Sequence, residues 1–212
     1  MDDESERIEA LLERLRAKDE HALAELFSHY RAQLDRMVSL RLDHRLGGRV
    51  SASDVLQESY LDAAKRVEHY LARPEMPFFL WLRLITNQCL VDVHRRHLHA
   101  QRRDAGLEQS LYQGQIATAS SVCMAACLIE DVPSPSQAAL DEERSSALQR
   151  ALESLDPIDR EVLALRHFEE LSNNEVAQIL GLQKHAASKR YVRALARLKT
   201  ALTAMSGFSE DG

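Results

Sequence analysis

The sequence predicts an all-α protein made of two small helical domains joined by a flexible linker. Aromatic residues make up only 5% of the chain while hydrophobic residues make up 45%, a composition that suits helices packed on one another. Seven glycines and five prolines leave few places for tight hairpin turns. Helical periodicity runs along both halves of the 212 residues and fails between them, which predicts two domains.

The first predicted domain covers residues 5–99. Apolar residues three or four positions apart mark two helices within its first 42 residues. Ser53 reads as the N-cap of a third helix, because serine before an acidic residue and an apolar run is typical of a helix start. Pro74 and Pro77 form a loop, since two prolines end any helix there, and a long helix with an apolar side follows from Phe78.

Residues 100–137 are predicted to be the linker. Helical periodicity fails there, and the stretch contains glycines, a Ser/Ala/Thr-rich run and a Pro-Ser-Pro-Ser sequence from Pro133. Cys123 and Cys127 lie in it, whereas Cys89 does not. An odd number of cysteines without a dense framework fits a reducing cytoplasm, so neither a disulfide nor a metal site is expected.

The second predicted domain covers residues 138–205 and contains clear signals for helix ends. Asp156 caps a helix that has proline at its first position. Ser172 and Glu175 form a capping box that starts a short helix, and Gly181 then turns the chain into a longer basic helix. This succession is the layout of a helix-turn-helix, so the segment is predicted to bind duplex DNA.

The basic helix of this motif predicts which residues face DNA. Residues 183–199 contain six basic residues and no acidic one, although the net charge of the chain is −6. At about 100° per residue, a stripe through Ala187 and Ala194 is buried, and the opposite face combines small and basic residues. Arg190 lies closer to the buried side, where it either braces the motif or holds a phosphate. The residues assigned to duplex DNA are Lys184, His185, Ser188, Lys189, Arg190, Arg193 and Arg197.

Three segments together resemble bacterial sigma-70-type initiation factors. Residues 54–65 contain an Asp, then Gln-Glu, then an aromatic residue and Ala, as does the core-binding helix of these proteins. Residues 78–96 are similar to the helix with which small sigma factors melt and read the −10 element, and residues 152–199 to their fourth conserved region. Two such regions separated only by a linker resemble the extracytoplasmic-function (ECF) subclass of two-domain sigma factors.

The resemblance implies a non-enzymatic protein that binds core RNA polymerase and directs initiation at promoters with −10 and −35 elements. It implies that Asp54, Gln57 and Glu58 contact the clamp helices of the largest polymerase subunit, where acidic and amide groups suit basic partners. Asp54 also suits the positive N-terminus of its helix, and both roles can hold. The −10 element must open before its bases are captured. The residues assigned to it are Trp81, Arg83, Asn87, Arg95 and Arg96.

Other features have simpler interpretations. At least two of Phe78, Phe79 and Trp81 are expected in the hydrophobic core. Nearby arginines repel a cation from His94, His97 and His99, so no metal or other cofactor is predicted. No apolar run approaches the roughly 20 residues that cross a bilayer, and the acidic N-terminus lacks a signal peptide's apolar segment. These observations predict a cytoplasmic protein without membrane insertion. The resemblance to ECF sigma factors adds an anti-sigma factor as a further candidate partner.

Two alternatives remain at this point. A two-domain regulator would sense a signal with its N-terminal helices and bind a palindrome as a dimer without polymerase. A helical adaptor or metal protein would not bind DNA, and a strong salt dependence of nucleic-acid binding would count against it.

Overall fold

The computed structural model describes residues 2–46, 48–98, 117–130 and 138–204, and every regular element in these ranges is helical, which confirms the all-α prediction. The helices are α1 (Asp2–Arg16), α2 (Ala22–Arg41), α3 (Ala52–Ala72), α4 (Phe78–Leu98), α5 (Ser121–Glu130), α6 (Ala138–Glu153), α7 (Pro157–Leu163), α8 (Asn173–Leu180) and α9 (Lys184–Ala204). A short 3-10 turn, His44–Leu46, follows α2, and a π-helical turn, Ala164–Phe168, follows α7.

The chain divides into two compact units. Unit 1 comprises Met1–Val38 and Leu42–Ala117, and unit 2 comprises Ser39–Arg41 and Thr118–Gly212. The last turn of α2 therefore belongs to unit 2, which the sequence did not predict. Leu40 from that turn is 2% exposed and shares the hydrophobic core of unit 2.

The segment predicted as linker, 100–137, is in part a folded element. Helix α5 lies inside it and packs against α6, burying Met124 and Ala125 in the same core as Leu148 and Leu152. Nearly every position of this helix is apolar, so no separate apolar face stands out and periodicity did not reveal it. The remaining parts of the predicted linker, 99–116 and 131–137, lie outside the described residues.

Helix α3 begins with a reciprocal cap. The hydroxyl of Ser51 accepts a hydrogen bond from the Asp54 amide at 3.2 Å, and the Asp54 carboxylate accepts one from the Ser51 amide at 2.8 Å. Ser53, the predicted N-cap, instead lies within the helix. The residue three positions after Ser53 is Leu56, which cannot return a hydrogen bond, whereas Asp54 can serve Ser51.

Unit 1 is centred on the pairing of α3 with α4. Leu56 on α3 and Leu82 and Leu90 on α4 are among the fully buried side chains. Between the two helices lies the proline loop expected from the sequence, and the hydroxyl of Tyr70 donates to the Met76 carbonyl at 2.9 Å across it. This hydrogen bond ties the end of α3 to the residues that precede α4.

Unit 2 is built on α6, α7 and α9 around a shared apolar cluster that includes Leu152, Leu163 and Ala194. The predicted start of α7 is confirmed, because the Asp156 side chain accepts from the Ile158 amide at 3.0 Å and proline occupies the first turn. Helix α7 ends at Leu163 and continues without a break as the π-helical turn Ala164–Phe168.

A fully buried arginine connects three parts of unit 2. Arg41 forms ion pairs with Glu161 of α7 and, at 2.6 Å, with Glu169 after the π-helical turn. Glu161 also accepts a hydrogen bond from the Ala119 amide at 2.9 Å. Burial acts to lower the pKa of Arg41, but the two carboxylates outweigh it and hold that pKa above its ordinary value.

Candidate nucleic-acid and polymerase interfaces

The helix-turn-helix predicted in unit 2 is present, and its helix ends have the predicted chemistry. The Ser172 hydroxyl accepts from the Glu175 amide at 3.3 Å, and the Glu175 carboxylate accepts from the Ser172 amide at 2.7 Å. Gly181 ends α8 at φ +63°, a left-handed conformation that side-chain-bearing residues rarely adopt. The Leu182 amide then closes the turn on the Ala177 carbonyl at 2.8 Å.

Helix α9 has the buried and exposed faces expected from its periodicity. Ala187 and Ala194 are buried at 1% and 0% exposure, and Tyr191 on the same side is half-buried. The opposite face includes Val192, which is 62% exposed. The DNA-assigned residues that are exposed are Lys184, His185, Lys189, Arg193 and Arg197, whereas Ser188 and Arg190 are half-buried.

Three cations of α9 project from the motif without an ion-pair partner among the described residues. They are Lys184, Lys189 and Arg193, and no hydrogen bond from their side chains is found in that part of the chain. A cation that has no carboxylate partner can bind a phosphate or a guanine edge without first losing an existing interaction. These three residues are therefore the strongest candidates for DNA contacts in unit 2.

Two other arginines of α9 point to α7 instead. Arg190 and Arg197 each contact one oxygen of the Asp159 carboxylate at 2.7 Å. Asp159 is only 2% exposed, so its carboxylate lies against the body of the motif, while the Arg197 side chain reaches it from the surface with 59% of its area in solvent. The sequence left open whether Arg190 braces the motif or holds a phosphate, and its contact with Asp159 is that of a brace. Arg197 makes the same kind of contact.

The structure corrects the assignment of Arg83 and Asn87 to the opened −10 strand. They are 3% and 1% exposed, so neither presents its side chain to solvent. The side-chain oxygen of Asn87 accepts a hydrogen bond from the Ala117 amide at 3.1 Å. Their polarity and the basic character of the helix predicted that both side chains would be exposed, but this side of α4 is buried.

The aromatic residues at the start of α4 are largely structural. Phe78 and Phe79 are buried at 3% and 8% exposure, which confirms the expectation that two of the three aromatic side chains belong to the core. Trp81 is half-buried and stacks on Tyr70, with ring centroids 4.7 Å apart and an interplanar angle of 27°. One part of the indole therefore stays accessible on a support that fixes its orientation.

At the other end of α4, Arg95 and Arg96 are exposed but paired. Arg95 contacts Asp92 at 2.9 Å, and Arg96 contacts Glu58 of α3 at 2.6 Å. The second pair joins one residue assigned to DNA with one assigned to polymerase. Exposed pairs of this kind are weak, so either partner can exchange the other for a new ligand at little cost.

The polymerase-assigned residues of α3 lie on one exposed face. Asp54, Gln57 and Glu58 are exposed, and Leu61 continues the same helical stripe with 53% of its surface in solvent. Sequence reasoning missed Leu61, although its i,i+3 spacing from Glu58 was available as a signal. Asp54 is also engaged in the helix cap, where hydrogen bonds from the Ser51 amide and hydroxyl lower the pKa of its carboxyl group.

Comparison with known proteins decides the family. A family model described as ECF sigma factor matches residues 5–204. The chain belongs to the ECF sigma factor family. It is 27% identical over 200 residues to the ECF RNA polymerase sigma factor BldN of Streptomyces coelicolor, which covers 93% of this chain and 67% of that protein. It is 28% identical over 206 residues to the ECF RNA polymerase sigma factor SigD of Mycobacterium tuberculosis, which covers 97% and 89%.

A solved structure shares the fold of this sigma factor. CnrH in complex with the cytosolic domain of CnrY aligns with a TM-score of 0.55 at 21% identity, covering 93% of this chain and 97% of that chain. Membership in the family means that the protein directs transcription initiation, and sigma factors are regulatory proteins. Family membership therefore favours the sigma factor over the two alternatives that the sequence left open, the palindrome-binding regulator and the adaptor.

The histidines near the end of α4 were considered as metal ligands, and the structure gives the surroundings of two of them. His94 is half-buried, and its Nε2 accepts a hydrogen bond from the Asp43 amide at 3.3 Å. Burial lowers the pKa of His94 below its ordinary value. His97 is half-buried, and His99 lies outside the described residues. Within those residues, no group of three or more His, Cys, Asp and Glu side chains could hold a metal ion.

None of the helices in the described ranges combines the length and the apolar character that a membrane span requires.

Proposed function

We propose that this sigma factor uses three separate surfaces during initiation. An exposed face of α3 holds core RNA polymerase, the exposed face of α9 reads the duplex −35 element, and the surface around Trp81 and the end of α4 binds the opened −10 strand. The observation that carries the proposal is α9, where cations lie opposite a buried stripe on a capped helix-turn-helix.

The −35 surface is supported by the chemistry of the exposed side of α9. Arg193 can donate two hydrogen bonds to a guanine edge, and Lys189 can reach a guanine or a phosphate. Val192 supplies an exposed apolar group of the kind that contacts a thymine methyl. His185 and Lys184 lie at the N-terminal end of the helix, the end that enters the major groove in helix-turn-helix proteins.

The −10 surface is smaller than the sequence predicted. With Arg83 and Asn87 buried, the proposal retains Trp81 for stacking with an unpaired base and the exposed Arg95 and Arg96 for the strand backbone. Trp81 lies in the first turn of α4 and the two arginines lie in its last turn. A ring for base stacking and cations for the backbone are the two kinds of group that bind single-stranded nucleic acid.

The polymerase surface is supported by the stripe along α3. Gln57 and Glu58 supply polar contacts, and exposed Leu61 supplies the apolar contact area that a protein interface needs at its centre. Asp54 extends the acidic end of this surface. We expect the protein to act in the cytoplasm, where polymerase and DNA are found. An anti-sigma factor is a further expected partner; CnrH was solved with the cytosolic domain of CnrY.

The central experiment is co-purification of the full chain with core RNA polymerase, followed by run-off transcription and mapping of transcript starts. Core binding and promoter-specific transcripts are expected. Arg193→Ala and Lys189→Ala should weaken −35-dependent initiation and leave core binding unchanged. Arg150→Ala, which removes an exposed cation from α6, is the matched control and should initiate normally. Absence of both core binding and specific transcripts would refute the proposal.

The polymerase surface needs its own control because Asp54 also caps α3. Asp54→Lys combined with Glu58→Lys should abolish core association by reversing two charges. Ser51→Ala removes the hydroxyl of the cap without changing any charge on the face, and should keep core association. Equal loss with Ser51→Ala would show that the cap, and not the surface charge, controls binding.

A further inference from the structure

Asp159 occupies an unusual position for a carboxylate. It lies in the first turn of α7, where the helix dipole favours a negative charge, yet its side chain is only 3% exposed. A buried carboxylate requires compensation by charge and hydrogen bonds. Arg190 donates a charged hydrogen bond to one oxygen of Asp159 and Arg197 donates one to the other, each at 2.7 Å.

Through Asp159, the two arginines connect α9 to α7 from two separate turns of α9. They are seven residues apart, which places them two turns or about 10 Å apart along the helix axis. Ala194, which is fully buried, lies between them on the same side and allows the two helices to approach closely. Two bonds to one carboxylate from separate turns oppose rotation of α9 about its own axis.

The attachment also reduces the charge that α9 offers to DNA. A guanidinium engaged by a buried carboxylate loses that interaction if it moves to a phosphate, whereas the cations on the opposite side of the helix lose none. Phosphate contacts increase affinity for every sequence equally, while base contacts increase it for one. Holding two arginines away from the backbone therefore lowers affinity for random DNA without removing Arg193 from the groove.

We propose that Asp159 is a specificity-determining positioning residue for DNA recognition. It orients α9 so that Lys189 and Arg193 face the groove, and it keeps Arg190 and Arg197 from making sequence-independent phosphate contacts. The inference rests on the proposed function of α9 as the −35-reading helix.

The test measures how the affinity of the full chain for a short random-sequence duplex falls with salt. Each phosphate contact adds about 0.9 to the magnitude of the slope of log K against log salt concentration. Asp159→Asn should steepen the slope by up to about 1.8, because both guanidinium groups become available. Between about 50 and 200 mM salt, that difference amounts to about a tenfold additional loss of affinity.

A triple variant, Asp159→Asn with Arg190→Gln and Arg197→Gln, separates charge release from structural damage. Because it leaves neither an unpaired buried charge nor a released cation, it should return to the wild-type slope. If the arginines already bind phosphates in the native protein, the triple variant should instead be shallower than wild type by about 1.8, which would overturn the proposal. This comparison decides the question even if Asp159→Asn alone fails to fold.

Two further measurements complete the design. At a promoter identified by transcript mapping, Asp159→Asn should lower the ratio of affinities for the native and the scrambled −35 sequence; an unchanged ratio would contradict a role in specificity. Lys184→Gln with Lys189→Gln should reduce the slope by up to about 1.8 in the wild-type and triple-variant backgrounds, because these two unpaired cations are available to phosphates. No effect of this pair would refute α9 as the DNA-binding helix, and so distinguishes failure of the proposed function from failure of the inference about Asp159.

Discussion

Replacement of Arg41 by methionine is the sharpest test of how unit 2 is held together. The Arg41 side chain is 0% exposed, and the side chains of Glu161 and Glu169 are 5% and 2% exposed. Water therefore cannot solvate the carboxylates when the guanidinium is removed. Breaking a buried ion pair on one side typically costs about 3–5 kcal/mol, a large fraction of the stability of a domain.

Hydrogen exchange measured by mass spectrometry is the appropriate assay, because a chain with two units need not unfold in one step. Arg41→Met should lower the protection of the α7 amides by about 100-fold or more, since about 1.4 kcal/mol corresponds to a factor of ten. Arg150→Met, at an exposed position of α6 in the same unit, is the control and should change protection little.

A compensated variant separates charge from side-chain volume. Combining Arg41→Met with Glu161→Gln and Glu169→Gln removes all three charges, and it should restore most of the protection. The side-chain carbonyl introduced by Glu161→Gln would still be able to accept a hydrogen bond from the Ala119 amide. A loss of less than tenfold in Arg41→Met would show that the carboxylates are not sealed from water, and the reasoning about this cluster would be wrong.

Three further variants test a glycine turn, a half-buried histidine and an exposed ion pair. Gly181→Ala should destabilise the helix-turn-helix by about 1–2 kcal/mol because its φ is +63°, whereas Gly181→Asn should cost less; equal costs in thermal denaturation would contradict a conformational origin. Burial lowers the pKa of His94, so its contribution to stability is complete above the ordinary pKa of 6.5 and is lost as the pH falls through the lower folded value. His94→Gln, which keeps an acceptor for the Asp43 amide, should therefore flatten the decrease in melting temperature on acidification, and an unchanged profile would exclude this histidine. Glu58→Arg with Arg96→Glu preserves the ion pair between α3 and α4, so it should melt like the wild type and still lose core binding; a large drop in melting temperature would show that the native pair has a structural role.

Local chemistry accounts for what the sequence predicted correctly. The capping box at Ser172, the proline after Asp156 and the left-handed glycine at position 181 depend on residues within a few positions of one another. The two faces of α9 follow from the 3.6-residue period, which needs no knowledge of the partner helices. The wrong cap at Ser53 was an error of the same local kind, corrected by comparing which serine has an acidic residue three positions later.

The sequence by itself determined the helical class, the helix-turn-helix and which side of α9 is exposed. Only the tertiary structure decided that Asn87 is buried under the Ala117 backbone, and that Arg190 and Arg197 converge on Asp159. The physical reason is that periodicity states how polar a helix face is, but not which distant residue lies against it. An arginine on a basic helix has the same sequence signal whether its partner is a DNA phosphate or a carboxylate 31 or 38 residues away in the same fold.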